Sequence, residues 1–250
     1  MAEMHLDGPK GLGDALYLRA VALHLLERGT LVTVYSRWPD VFADLPINVK
    51  PRDDKRDFVA GLRHVTYPMP CALPEGATSQ FDGCCWLAGI REPVEFKLGW
   101  RVRNSEKLQR IKDAARGRPI LVYQSSRVPK NHEQHAMRPR REAFNAFLHD
   151  KRKQYFRVRL GHPPYIEDDP HAPRDLDLYG KTSIHEALDI GTIGGLFFGE
   201  HGFVPMMGEA LGKRCVFMFA RAAQSVQRIR NFMPERMIHK KDLGMGIFDD

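Results

Sequence analysis

The stretch from Gly195 to Phe219 constrains the fold most. A short apolar run, Gly195 to Phe198, is followed by a polar turn, Gly199 to Gly202. An apolar segment from about Val204 to Leu211 and a second apolar run from Arg214 to Phe219 complete the stretch. Short apolar runs bounded by turn residues read as buried strands, and the longer segment between them as a helix. In open parallel sheets, ligands sit beyond the carboxyl ends of strands, close to helix N-termini. The unpaired N–H groups there favour anions, phosphates above all. The turn carrying Glu200, His201 and Gly202 is therefore either one wall of a nucleotide-binding cleft or a structural connection between strand and helix.

The N-terminus repeats the pattern. Met4 to Leu6 reads as a short strand, and Asp7-Gly8-Pro9-Lys10-Gly11-Leu12-Gly13-Asp14 as a Gly-rich turn. Leu16, Ala20, Leu23 and Leu26 then recur at helical spacing until Arg28-Gly29 ends the helix. Leu31 to Tyr35 reads as the next buried strand, giving a Rossmann-like βαβ opening. The turn lacks the Gly-Lys-Ser/Thr ending of a Walker loop. Asp14 falls where a helix N-cap would stand; it is either that cap or a general base at a cleft mouth.

Trp38 to Phe42 reads as a short helix, Ile47 to Val49 and His64 to Tyr67 as strands, and Pro68 to Ile90 as an irregular insertion. In that insertion Trp86 is expected in the core, with Asp82 as a candidate acceptor contact. Asn104 to Ala115 shows a helical stripe of Leu108, Ile111 and Ala115, and Gly117-Arg118-Pro119 breaks it. That break sets the expected domains at 1–117 and 118–250, with a C-terminal segment that can pack back on the first. In the second half, Ile120 to Gln124 and Tyr155 to Gly161 read as strands and Glu142 to Lys151 as a helix. The long polar stretch after Gln124 offers Ser125, Ser126, Arg127, Lys130 and Arg138 to a diphosphate; otherwise it is a solvated loop. Ser183 with Glu186 has capping-box spacing before a helix from Ile184. Asp168-Asp169 reads as solvated.

The 250 residues carry a formal charge of +7 and 11 histidines. This balance favours a polyanionic partner: nucleic acid, an anionic membrane surface or phosphorylated small molecules. No run of about 18 apolar residues predicts a transmembrane helix, and Met1 to Asp7 lacks the basic and apolar regions expected of a signal peptide. Cys71, Cys84, Cys85 and Cys215 have no metal-type spacing and suggest reduced thiols of a cytoplasmic protein.

Several motifs resemble those of glycosyltransferase family 9, the ADP-heptose heptosyltransferases and their relatives. Leu178-Tyr179-Gly180-Lys181-Thr182-Ser183-Ile184-His185-Glu186 resembles the family's Leu-x-Gly-x-Thr-Ser-(apolar)-x-Glu. Gly11-Leu12-Gly13-Asp14 resembles its Gly-(apolar)-Gly-Asp opening. Aligning Glu209-Ala210-Leu211-Gly212 on the family's closing motif sets His201 at its aspartate, Gly202 at its serine and Met206 at its histidine, with Glu200 offering a carboxylate one position early. Lys130 or Arg138 stands in for the family's loop lysine. The resemblance implies an α/β GT-B fold, two Rossmann-like domains facing across a cleft. It implies Asp14 as catalytic base, with Gly11 and Gly13 beside it near the acceptor. Ser125, Ser126, Arg127, Lys130, Arg138, Lys181, Thr182, Glu200, His201 and Gly202 would bind the donor.

The implied reaction moves a sugar from a nucleotide-diphosphate sugar to an acceptor hydroxyl. It is inverting and metal-independent, with no cofactor beyond the donor. The acceptor is either a hydroxymethylated base in DNA, as in phage-type DNA modification, or a lipopolysaccharide or other lipid-linked, anionic saccharide. The alternatives are a non-catalytic nucleotide-binding module and a nucleotide-sugar epimerase.

Overall fold

A computed structural model describes residues 3–52, 61–65, 80–125, 141–163, 169–200 and 202–218. These form two compact units that part between Gly99 and Trp100.

The first unit runs β1 (Glu3–Asp7), α1 (Leu12–Glu27), β2 (Leu31–Ser36), a 3-10 turn (Pro39–Phe42), β3 (Asn48–Pro51), β4 (Leu62–His64) and α2 (Gln80–Leu87). Its strands make one parallel sheet in the order β3-β2-β1-β4. The strand expected at His64 to Tyr67 begins earlier, and a helix, α2, stands within the expected irregular insertion.

Helix α1 is more deeply enclosed than a single stripe implies. Every residue from Ala15 to Ala22 is buried, whereas Leu23 and Leu26 are only half-buried. The helix packs against β2 on one side and α2 on another. The Tyr17 ring lies 5.7 Å from Phe81 and 4.8 Å from Phe96. A helix covered on all sides needs apolar residues all round. The exception is Arg19, fully buried, whose five N–H groups all find acceptors. Nε donates to Leu98 O at 2.6 Å, Nη1 to Val41 O and Asp44 Oδ1 at 2.6 Å each, and Nη2 to Asp44 Oδ2 at 2.9 Å and Gly99 O at 3.0 Å. One side chain thus ties α1, the 3-10 turn and the 98–99 segment together.

The second unit runs α3 (Ser105–Ala115), β5 (Ile120–Gln124), α4 (Arg141–Asp150), a 3-10 turn (Lys151–Lys153), β6 (Phe156–Leu160), β7 (Leu176–Asp177), α5 (Ile184–Ile193), β8 (Leu196–Gly199), α6 (Phe203–Ala210) and β9 (Arg214–Phe217). Its sheet is parallel throughout, in the order β7-β6-β5-β8-β9. Its interior strand β8, next to the central β5, is buried along its length, as parallel strands covered on both faces are. Phe198 stacks on Phe147 of α4 and meets the tilted ring of Phe144, with centroids 4.1 and 4.4 Å away. Phe197 faces α6, where a Cβ on Gly208 would collide with its ring and come within 2.7 Å of Cys215 Sγ. Glycine at 208 therefore sets how closely α6 approaches the sheet.

The units part before α3, not at the expected Gly117-Arg118-Pro119 break. Trp100 Nε1, Arg103 N and Asn104 N all donate to the buried carboxylate of Asp189 on α5, at 2.7, 3.1 and 2.9 Å. Lys107 on α3 bonds Glu186 at 2.7 Å. These partners lie some eighty residues away along the chain, so a local break signal could not reveal them.

Candidate functional site

Both sheets place their first and fourth strands, in chain order within each unit, side by side. This is the point where strand order reverses, and ligands of open parallel sheets bind beyond its carboxyl end.

In the second unit that point lies between β5 and β8. Tyr123 is in register with Phe198, so Ser125 and Glu200 emerge next to each other just past the strand ends. Both are buried. Ser125 Oγ has no hydrogen-bond partner among the described residues. Gly199 precedes Glu200, and a Cβ there would come within 3.3 Å of Gln124 Cγ and 3.4 Å of Pro205. Gly202 immediately precedes α6, whose first turn has no side-chain cap. Lys181 and Thr182 lie on the same carboxyl side, in the connection from β7 to α5. Gly180 makes that turn possible with φ +66°, a conformation glycine adopts at little cost, and its N–H donates to Gly161 O at 2.9 Å. Lys181 is exposed and its Nζ donates to Asp177 O at 3.3 Å. Ser183 and Glu186 form the expected capping box. Bonds from Lys107 and from the Ser183 backbone hold the Glu186 carboxyl below its usual range. Ser126, Arg127, Lys130, Arg138 and His201 lie outside the described residues. Met206, aligned with the family histidine, is buried in the core.

Two arginines the sequence did not single out brace this unit. Arg159 on β6 holds Asp177 through two bonds of 2.9 Å and Asp169 O at 2.7 Å. Arg157 holds Asp175 at 2.8 Å. Burial raises the Asp175 and Asp177 carboxyls, but the bonds from Arg157 and Arg159 outweigh it and leave both below their usual range. Asp169 is buried, contrary to the solvated reading. Its carboxylate accepts from His171 N at 3.0 Å and Asn145 Nδ2 at 3.4 Å. Such residues are visible in sequence only as arginines alternating with apolar residues in a strand, Phe156-Arg157-Val158-Arg159-Leu160.

In the first unit the reversal point lies between β1 and β4. The Gly-rich loop after β1 is held by Gly8 N–H to Tyr35 O at 2.9 Å and by Trp38 Nε1 to Lys10 O at 3.0 Å. The N-cap of α1 is Gly11, and Asp14 is the third helical residue, not the cap. The half-buried Asp14 carboxylate folds back over Gly11, where any Cβ would strike it. Gly13 lies between them in the first turn. Burial first, and the Asp14 charge second, push the Cys84 thiol well up. Burial also pushes Cys85 up to about 12. These thiols stay protonated and unreactive. Trp86, expected in the core, is instead exposed at 43%, with the Arg91 guanidinium 4.5 Å from its ring centroid. Phe81, Cys84 and Cys85 fill the core in its place.

At the same edge stands a cluster the sequence did not reveal. Asp7 closes β1 with its side chain 3% exposed. It accepts from His64 Nδ1 at 2.9 Å and forms an ion pair with Arg52 Nε at 3.2 Å. Asp7 and His64 are direct register partners on neighbouring strands, and Val65 N–H donates to Asp7 O at 2.9 Å. Asp7 is far from both partners in sequence, so only the pairing of β1 with β4 and the course of the chain after β3 assemble them.

Among the described residues, no group of three or more His, Cys, Asp or Glu is placed to hold a metal ion, and no helix is long and apolar enough to cross a membrane.

No protein-family profile and no curated protein sequence matches the chain. Solved structures do. A family 9 glycosyl transferase from Veillonella parvula superposes with a TM-score of 0.60 at 12% identity, over 88% of this chain and 81% of that one. The Escherichia coli heptosyltransferase WaaC, with ADP-2-deoxy-2-fluoro heptose, gives 0.55 at 8% identity, over 88% and 89%. The iron-containing dodecameric glycosyltransferase TibC from enterotoxigenic E. coli gives 0.53 at 13% identity; 87% of this chain spans 57% of TibC. With its parallel sheets in this order, the chain has the fold of the family 9 glycosyltransferases and heptosyltransferases.

Proposed function

We propose that this protein is a glycosyltransferase that moves a sugar from a nucleotide-diphosphate sugar to an acceptor hydroxyl. The observation that carries the reading is the likeness to a family 9 glycosyl transferase over 88% of the chain. The GT-B arrangement, with the units facing across a cleft and the reaction inverting, is part of the proposal. The second unit binds the donor diphosphate, through Ser125 and Glu200 at the strand ends, Lys181 and Thr182 beside α5, and Gly202 at the start of α6. Oriented N–H groups and basic side chains there stabilise the charge that develops on the leaving diphosphate. Ser126, Arg127, Lys130, Arg138 and His201 complete this donor set. The first unit receives the acceptor, and Asp14 is its motif-matched candidate for the acceptor proton. The net charge of +7 suits an anionic acceptor, either hydroxymethylated DNA or an anionic saccharide.

The test is a screen of nucleotide-diphosphate sugars against both acceptors, read by mass spectrometry. Sugar-linked product is expected, and Asp14→Asn should lower kcat, by on the order of 10²- to 10⁴-fold where Asp14 takes the proton and by less where it only orients the hydroxyl. Donor binding without turnover in every pairing would favour a second reading, a nucleotide-binding module without catalysis. The observation on its side is Met206, buried where the family carries histidine.

A further inference from the structure

The Asp7–His64 pair has a geometry that packing alone does not require. Asp7 is a buried carboxylate at the end of a central strand, and a buried charge is retained only when paired and hydrogen-bonded. Arg52 already supplies the counter-charge at 3.2 Å. His64 adds a second contact through Nδ1, yet 65% of its side chain is exposed. With Nδ1–H donating to the carboxylate, the neutral ring carries its lone pair on Nε2. No described residue occupies Nε2. The ring thus stands with one nitrogen fixed and the other open, at the carboxyl end of the β1–β4 reversal point.

We propose that His64 is a proton acceptor for the acceptor hydroxyl and that Asp7 is its positioning residue; this rests on the glycosyltransferase reading. The hydroxyl proton passes to Nε2 as the oxygen's electron pair forms the bond to the anomeric carbon. The bond from that carbon to the diphosphate breaks, and its pair leaves on the diphosphate oxygen. The imidazolium that forms sits against the Asp7 carboxylate, which stabilises it and fixes the ring, as a carboxylate does behind a catalytic histidine elsewhere. Asp14, folded over Gly11, remains in the acceptor site as a hydrogen-bond acceptor.

Two measurements on the full chain test the pair. Nitrogen-15 long-range correlation spectra, taken where the ring is neutral, should show His64 as the Nδ1–H tautomer, assigned by its loss in His64→Gln. Asp7→Asn should return the ring to a tautomer mixture. A mixture in the wild type overturns the pair. ADP release from ADP-heptose, with water or methanol as acceptor, is the second. His64→Ala should lower kcat about 10²- to 10⁴-fold, and added imidazole should restore part of it. Asp7→Asn should lower kcat while leaving the KM for ADP-heptose unchanged. Wild-type release that His64→Ala does not slow overturns the proton role and leaves the transferase reading intact. No release by the wild type from ADP-heptose or from any other donor in the screen overturns the reading, and the proton role with it.

Discussion

The two units share one strand plan and hold their buried charges differently. In the first, a fully buried arginine, Arg19, ties α1 to its surroundings, and a buried carboxylate, Asp7, stands at the carboxyl edge of the sheet. In the second, the charges that brace the sheet sit on the flanking strands, where Arg157 and Arg159 hold Asp175 and Asp177. Its carboxyl edge keeps a hydroxyl, Ser125, that no described residue satisfies. The same topology therefore supports two kinds of edge. One positions an imidazole through a carboxylate, which suits proton transfer. The other leaves the Ser125 hydroxyl without a partner among the described residues, which suits binding.

The largest expected effect breaks the first unit. Arg19→Leu leaves Asp44, with its side chain 5% exposed, as a buried carboxylate without its partner. Chemical denaturation should show a loss of about 3–5 kcal/mol. Removing Arg157 should cost less, because its partner Asp175 is 20% exposed and water replaces part of the bond. Next comes Gly208→Ala, which drives a methyl into Phe197; about 1–3 kcal/mol should be lost, with the second unit melting first. Ser183→Ala removes one half of the capping box and should cost about 1 kcal/mol.

The acid limb sharpens the contrast further. Asp175, Asp177 and Glu186 all titrate lower in the folded chain than their ordinary values of 3.8, 3.8 and 4.5. A depressed folded value contributes stability above the ordinary value, and that contribution is lost as pH falls through the folded one. Acid unfolding followed by tryptophan fluorescence and circular dichroism should therefore set in as pH drops below that range. Neutralising Asp175 and Asp177 as Asn should flatten the limb. The smallest effect is Ser125→Ala, expected to change stability by no more than about 0.5 kcal/mol, or to raise it, since no protein bond is lost. The same variant should weaken nucleotide-sugar binding in calorimetry. A large loss of stability with unchanged binding would make Ser125 a structural residue.

Much of the fold was legible because strands and short helices announce themselves locally. Ile120 to Gln124, the α3 stripe of Leu108, Ile111 and Ala115, and the Ser183–Glu186 cap all stand where spacing and capping chemistry set them. Helix α2 was missed because its sequence, Gln80-Phe81-Asp82-Gly83-Cys84-Cys85-Trp86-Leu87, has glycine inside and no clean stripe. Trp86 was misjudged for a related reason: bulk predicts burial only when the face is known. Of the candidate site, Ser125 and Glu200 were legible as strand-end residues, but their adjacency was not.

By itself, the order of apolar runs, glycine turns and caps determined that this chain builds parallel sheets with crossover helices, because hydrogen-bond periodicity and turn chemistry act over a few residues. Tertiary structure alone decided which charges meet. Asp7 and His64 are joined by strand register, Arg52 reaches Asp7 from beyond β3, and Arg19 is held by the packing of the 3-10 turn and the 98–99 segment on α1. A buried charge is stable only beside its partner, and such partners are chosen by the folded backbone across tens of residues, beyond the reach of any local pattern.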